Sequence, residues 1–298
     1  GPGQSCTRDS YTDPRPASGE TLLASSFQTF PGGKGANQAV AAARIGAQVQ
    51  MIGKVGRDAF GEQLLANLRA NDVATAHVGR ANTSSGTALI TVDAQGRNTI
   101  VVAAGANHEV LPQDLDDWQD ALINADLLLM QLEIPLKTVI EAARRAHARG
   151  VRVMLNPSPM QPLPAELLGT LDMLVMNESE TALLSGEDVS TPQGLERAGH
   201  KLLAAGVEWV VITLGGQGAV AVNREGVIHS PAFRVQVVDT VAAGDAFTGA
   251  LAVAMAEKAE PQEALRIANA AGALAVTVRG AQPSLPTRVQ VDDFLRKG

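Results

Sequence analysis

Short apolar runs alternate with amphipathic stretches along most of this chain. Leu127–Gln131 reads as a buried strand, residues 136–149 as the helix after it, and Gly150 as that helix's stop. Residues 151–155, 173–176 and 210–214 repeat the strand theme, with helices between them. Continuous apolar strands spaced by helices predict a mainly parallel sheet covered on both faces. Earlier in the chain, residues 21–30 and 87–93 read as strands with partial alternation. Ala94-Gln95-Gly96-Arg97 is a turn, and Asn98–Ala103 is the return strand of a hairpin. Residues 246–256 are small or apolar on nearly every side, which predicts a buried helix. No repeat at a fixed period and no composition break marks a linker. The pattern therefore predicts one α/β domain over residues 1–298, with a small β excursion from its first half.

Composition narrows the function. The 298 residues are 45% apolar and 18% charged, enough to build a core without staples and too apolar for a disordered chain. Cys6 is the single cysteine, so no disulfide can form within the chain. Lys and Arg number 24 against 31 Asp and Glu, giving 24 − 31 = −7, a charge that repels phosphate backbones and anionic membranes. Aromatic residues are only 3%, which argues against a base-stacking surface. No apolar run approaches the 18 or so residues of a membrane span, and no basic-then-apolar leader pattern is visible. The expectation is a cytoplasmic protein with no nucleic-acid or membrane partner.

Two motifs are decoys. Gly33-Lys34 invites a phosphate-loop reading, but Gln28 stands where that loop needs Gly, and Gly35 where it needs Ser or Thr. Gly216-x-Gly218-x-x-Ala221 follows a strand as a dinucleotide fingerprint does. Yet Ala219–Asn223 alternates like another strand instead of opening a helix.

Four other features carry candidate chemistry. In Asp239-Thr240-Val241-Ala242-Ala243-Gly244-Asp245, small residues let a ligand approach the backbone at the start of the buried helix. Free N–H groups there would form an anion hole suited to a transferring phosphoryl group, and a helix N-terminus favours an acidic side chain such as Asp245, a candidate base. An Asp that merely caps a core helix fits the same residues. Pro31-Gly32-Gly33-Lys34-Gly35-Ala36-Asn37-Gln38, ahead of a small-residue helix over 39–44, suits a polyhydroxylated ligand, or is an ordinary glycine-rich turn. Asn177-Glu178-Ser179-Glu180 follows a strand and either holds Mg²⁺ through water or caps a helix. Glu133 ends an apolar strand, where carboxylates face either a ligand crevice or solvent.

Together these residues resemble the ribokinase-like, or PfkB, family of carbohydrate kinases. The resemblance runs over roughly residues 19–298 and rests on both signatures, 32–38 and 239–245. Met130-Gln131-Leu132-Glu133, Asn156-Pro157-Ser158-Pro159 and the stretch from Gly280 to Pro286 are similar to its ribose-phosphorylating members. The resemblance implies a three-layer α/β/α sandwich with a β lid built from about 19–34 and 85–105, often paired between subunits of a homodimer. It implies ATP-dependent phosphorylation of D-ribose at its 5-hydroxyl, with another small sugar or a non-catalytic sugar or nucleotide sensor as alternatives. Asp245 would be the catalytic base, and Ala242, Ala243 and Gly244 the anion hole. Gly33, Lys34, Gly35, Ala36, Asn37 and Glu133 would hold the sugar. Asn177, Glu180, Thr213, Leu214, Gly215, Gly216, Gln217, Gly218 and Asn269 would line the ATP site, with Glu180 helping to organise Mg²⁺. An activating K⁺ would sit near Asp239, Val241, Ala275, Val278, Gly280 and Ser284.

The start of the chain departs from that family. An apolar central strand followed by a sugar-binding Asp is implied about a dozen residues before Gly19-Glu20-Thr21. Thr7 occupies that place, and Asp9 is the nearest acid. The first strand is therefore expected to be missing or altered, residues 1–18 to form an atypical segment, and neighbouring strand edges to be unpaired.

Overall fold

The computed structural model describes residues 5–10, 19, 26–92 and 98–297. Its first half runs β1 (Ser5–Ser10), β2 (Ser26–Pro31), α1 (Lys34–Ile45), β3 (Val49–Val55), α2 (Ala59–Ala70), β4 (Val73–Arg80), β5 (Thr87–Val92) and β6 (Asn98–Ala103). Two short helices, α3 (Asp114–Asp117) and α4 (Gln119–Ile123), lead into β7 (Leu127–Gln131), α5 (Leu136–His147), β8 (Arg152–Asn156) and α6 (Ala165–Leu168). Then follow β9 (Met173–Asn177), α7 (Glu178–Ser185), α8 (Pro192–Ala204), β10 (Trp209–Thr213), β11 (Ala219–Asn223) and β12 (Gly226–Ser230). The chain closes with α9 (Ala243–Ala256), α10 (Pro261–Ala275) and α11 (Arg288–Lys297).

The predicted parallel sheet is present. β7, β8, β9 and β10 are parallel neighbours, and β11 and β12 extend the sheet antiparallel. Alternation along these strands sorts side chains between two helical layers. Val153, Leu155, Leu174, Met176, Val210 and Ile212 join Val139 and Ala143 of α5 and Leu202 of α8 in one core. Met154, Met173, Val175 and Val211 join Phe247 and Leu251 of α9 and Leu265 of α10 in the other. Burial on both faces is why these strands read as continuous apolar runs.

β3 and β4 form a separate two-stranded parallel sheet. Helix α1 packs on β3 and on β7 alike. Among the described residues no strand pairs with the outer edge of β7 or the second edge of β3. Leu127, Leu128 and Leu129 of β7 are correspondingly only half-buried, while Val153, Met154 and Leu155 of β8 are buried.

The lid is a four-stranded sheet in the order β2-β1-β5-β6. The hairpin strands pair from Thr87 opposite Ala103 to Val92 opposite Asn98, as predicted. The expected turn at 94–97 and residues 21–25 of the first predicted strand lie outside the described residues. Part of the atypical segment expected at 1–18 belongs to the lid. Ser5–Ser10 is its second strand, antiparallel to β2 and parallel to β5. A polar strand without an apolar run has no place in a sheet buried on both faces, but fits an open one.

Helix α1 starts at Lys34, five residues before the predicted 39, and this correction matters for function. Gly33, at φ 90°, makes the turn into it. Lys34, Gly35, Ala36, Asn37 and Gln38 thus lie on the first turns of a helix and not in a loop. α1 packs against α9 at a spacing only glycine allows: a Cβ on Gly249 would stand 2.6 Å from the Ala41 Cβ and 2.8 Å from the Gln38 carbonyl oxygen.

Candidate active site

Asp245 lies on the first turn of α9, one helical turn before Gly249, and Gln38 lies about one turn before Ala41 and Ala42. The close crossing therefore brings the first turns of two helices together. Asn37 Nδ2 donates to Asp245 Oδ2 at 2.8 Å, and Gln38 Nε2 donates to Asp245 Oδ1 at 3.0 Å. All three side chains are buried. Glu133, two residues beyond the end of β7, accepts the backbone N–H of Lys34 at 3.0 Å. Burial raises its carboxyl above the ordinary carboxylate range, with the Lys34 ammonium opposing and the Asp245 charge reinforcing the shift. Residues more than 200 positions apart in sequence thus meet in one polar cluster.

The start of α9 has the form of an anion hole. Ala242 caps the helix in the left-handed region, at φ 62° and ψ 8°, a strained conformation for a residue with a Cβ. The helix then begins at Ala243, three residues earlier than predicted, so Gly244 and Asp245 occupy the first turn, where amides have no intrahelical acceptor. A Cβ on Gly244 would meet nothing within 4 Å, so the helix tip opens onto free space. Gly244→Ala is therefore expected to leave the melting temperature unchanged and to lower kcat/KM for nucleotide by at least about tenfold, since a methyl would stand where a phosphoryl group must approach. Thermal melts and steady-state kinetics read the two effects separately.

The Asn37 side chain carries a second message. Its Oδ1 is buried and has no hydrogen-bond partner, although its Nδ2 is committed to Asp245. A buried acceptor left unpaired costs about 1–3 kcal/mol, and a hydroxyl-bearing ligand would relieve it. Gly35 and Ala36 are both buried, and the Ala36 methyl packs in an apolar cluster with Leu68 and Ala246.

Several of the residues expected at the nucleotide lie at the C-terminal ends of two neighbouring central strands. Thr213 of β10 pairs with Asn177 of β9, so the loops after both strands start side by side. Leu214, Gly215, Gly216, Gln217 and Gly218 form a tight turn closed by the Leu214 N–H donating to the Gly218 carbonyl at 2.8 Å. β11 follows directly, so the dinucleotide-fingerprint decoy opens no long helix. Asn177 and Glu180 form the reciprocal cap of α7, each side chain accepting the other's backbone N–H, at 2.8 and 3.0 Å. The capping alternative is therefore realised, and one Glu180 oxygen is spent on it. Asn269 Nδ2 is likewise committed, to Ser230 and to the Pro231 carbonyl. It braces the segment against which Gly218 packs and presents no free donor to a nucleotide.

The residues expected at a monovalent cation also converge. Asp239 accepts the N–H groups of Val241 and Gly280, at 3.1 and 3.0 Å, which ties the loop before α9 to the loop after α10. Ala275, Val278 and Ser284 lie on that second loop or its edges, with Ser284 donating to the Ala281 carbonyl at 2.6 Å. Thr7 and Asp9 both stand on β1 in the lid, Asp9 paired opposite Phe27 and Thr91.

Comparison with known proteins agrees with this geometry. The model of the "pfkB family carbohydrate kinase" matches residues 5–288. The chain belongs to the pfkB family of carbohydrate kinases. Within the family it is 43% identical over 294 residues to a ribokinase of Bacillus subtilis (strain 168), covering 98% of this chain and 97% of the relative. A deoxyribokinase of Salmonella typhi is 38% identical over 287 residues, covering 96% and 94%. Among solved structures, Arabidopsis thaliana ribokinase complexed with ribose and ATP superposes with a TM-score of 0.95 at 35% identity, covering 99% of this chain and 97% of that one. The kinase fold thus extends over nearly the whole chain.

Proposed function

We propose that this kinase transfers the γ-phosphoryl group of ATP to the 5-hydroxyl of D-ribose, with Asp245 as the base. The observation that carries the reading is the Asp245 carboxylate at the tip of α9, beside the unpaired Asn37 acceptor. Asp245 takes the proton of the 5-hydroxyl as the oxygen attacks phosphorus. The new O–P bond forms as the bond from the γ-phosphorus to the bridging oxygen breaks, and ADP leaves. The amides at 242–244 receive charge from the phosphoryl oxygens. Asn37, Glu133 and the first turn of α1 hold sugar hydroxyls. Asn177, Thr213 and the 214–218 turn flank the nucleotide.

Among the described residues no three metal-ligating side chains cluster. Mg²⁺ would supply charge neutralisation at the phosphates, and Glu180 is the residue that would help to hold it. K⁺ would be held between the loops at 238–241 and 275–284, which Asp239 ties together by accepting the N–H groups of Val241 and Gly280. No described helix is long and apolar enough to cross a membrane.

The lid supports a homodimer. Its register puts Phe27, Leu89 and Val101 on one face, and they are 63%, 54% and 60% exposed. A second copy would cover that apolar face. Sedimentation at micromolar concentration checks it, and a monomer there removes the dimer.

The deciding assay follows ADP release with ATP, Mg²⁺ and D-ribose, in potassium and in sodium buffers, and identifies the phosphorylated carbon by NMR. Ribose 5-phosphate, formed faster in potassium, is expected. The likeness to a deoxyribokinase makes 2-deoxyribose the second acceptor to test, and a higher kcat/KM for it would reassign the substrate.

A further inference from the structure

A chain of buried amides runs from the sheet to the Asp245 carboxylate. Asn156, at the end of β8, donates its Nδ2 to the Val175 carbonyl at 2.9 Å. Its Oδ1 accepts Gln38 Nε2 at 3.0 Å. The same Nε2 donates to Asp245 Oδ1 at 3.0 Å, and Gln38 Oε1 accepts Gln131 Nε2 at 2.5 Å. Gln38 is wholly buried, and Gln131 and Asn156 are nearly so.

The polarity of this chain is set at one end. A backbone carbonyl only accepts, so the Asn156 amide must turn its nitrogen to Val175 and its oxygen to Gln38. That orients the Gln38 nitrogen toward Asn156 and Asp245, and its oxygen toward Gln131. Flipping Gln38 would set its oxygen against two other oxygens in a buried site, which is strongly disfavoured. Both of its N–H donors are used, so no donor remains for a ligand.

We propose that Gln38 is a positioning residue. It locks the plane of the Asp245 carboxylate through a relay anchored on β7, β8 and β9, and it does so with neutral donors. An alignment made by amides leaves the carboxylate able to take a proton, whereas a lysine or arginine in that place would hold the negative charge by ion pairing. Asn37 also donates to Asp245 but keeps an unpaired Oδ1, whereas the other bonds of Gln38 run to Asn156 and Gln131 at the ends of β8 and β7. This rests on the reading of Asp245 as base.

The test compares Gln38→Leu, Gln131→Leu, Asp245→Asn and the Gln38→Leu/Asp245→Asn double variant in ribose phosphorylation. Gln38→Leu is expected to lower kcat about 10- to 100-fold with KM for ribose within about threefold of the parent. Gln131→Leu, which loosens Gln38 without touching α1, is expected to lower kcat about three- to tenfold with KM likewise unmoved. The double variant is expected to be no more than about twofold slower than Asp245→Asn alone, because a residue acting through Asp245 has nothing left to align. Multiplicative losses in the double variant, or losses confined to KM or melting temperature, would overturn the proposal. Should Gln38→Leu fail to fold, Gln131→Leu decides, and an unchanged kcat there is also fatal. A fast Asp245→Asn removes the base reading and the relay's role together. A slow Asp245→Asn beside a wild-type-like Gln38→Leu removes the relay alone.

Discussion

Asp245→Asn is expected to lower kcat by about 10²–10⁴ while the chain still folds and KM for ATP moves little. The asparagine keeps the volume but cannot take a proton from the attacking hydroxyl. It also leaves one oxygen where two donors, Asn37 Nδ2 and Gln38 Nε2, now converge. One of those buried N–H groups loses its acceptor, so a stability loss of about 1–3 kcal/mol accompanies the catalytic one. Denaturant titration and single-turnover phosphoryl transfer separate the two. A variant that kept more than half the parent kcat would falsify the role of Asp245 as base.

Glu133→Gln is expected to raise KM for ribose by about 10- to 100-fold, because hydrogen bonds from sugar hydroxyls to a carboxylate are worth about 1.5–3 kcal/mol. The same change is expected to stabilise the protein without ligand at neutral pH. Burial raises the Glu133 pKa in the folded chain above its ordinary value of 4.5. The native state then holds this proton more tightly than the unfolded chain, so ionising Glu133 costs stability as pH rises above 4.5. Glutamine is free of that cost. The gap in melting temperature between variant and parent should therefore be near zero below pH 4.5, open as pH rises through the window up to the raised value, and stay open beyond it. A gap that instead widened toward acid pH would reverse the assignment. Binding loss with stability gain is the pattern expected of a side chain held in place for a ligand.

Much of this molecule was written in local pattern. Leu127–Gln131 was predicted with the bounds it has, and the strands at 152–156, 173–177 and 209–213 differ from prediction by a residue or so at an end. Apolar strands buried on both faces leave that signature wherever they occur, because neither side can carry polar groups. The two small-residue motifs stood out for a similar reason, since closely approaching helices exclude bulky side chains, whereas Glu133 left a ligand crevice and solvent equally open. The cap of α7 was also visible, since Asn177 and Glu180 have the three-residue spacing that lets each reach the other's N–H.

What local pattern could not decide was which side chains meet. Lys34 to Gln38 look like loop because glycines lower helix propensity. They are helix because Gly33 turns the chain and tertiary packing of the apolar face outweighs about 1 kcal/mol per glycine. β1 joined the lid because the open sheet accepts polar strands, a choice set by partners and not by its own six residues. The hydrogen bonds from Asn37 and Gln38 to Asp245 span 208 and 207 positions. They exist because Gly249 lets two helices approach until their first turns touch, and the orientation of Gln38 descends from a carbonyl on β9. Residue chemistry is a property of the chain, but the alignment of a carboxylate is a property of everything packed around it.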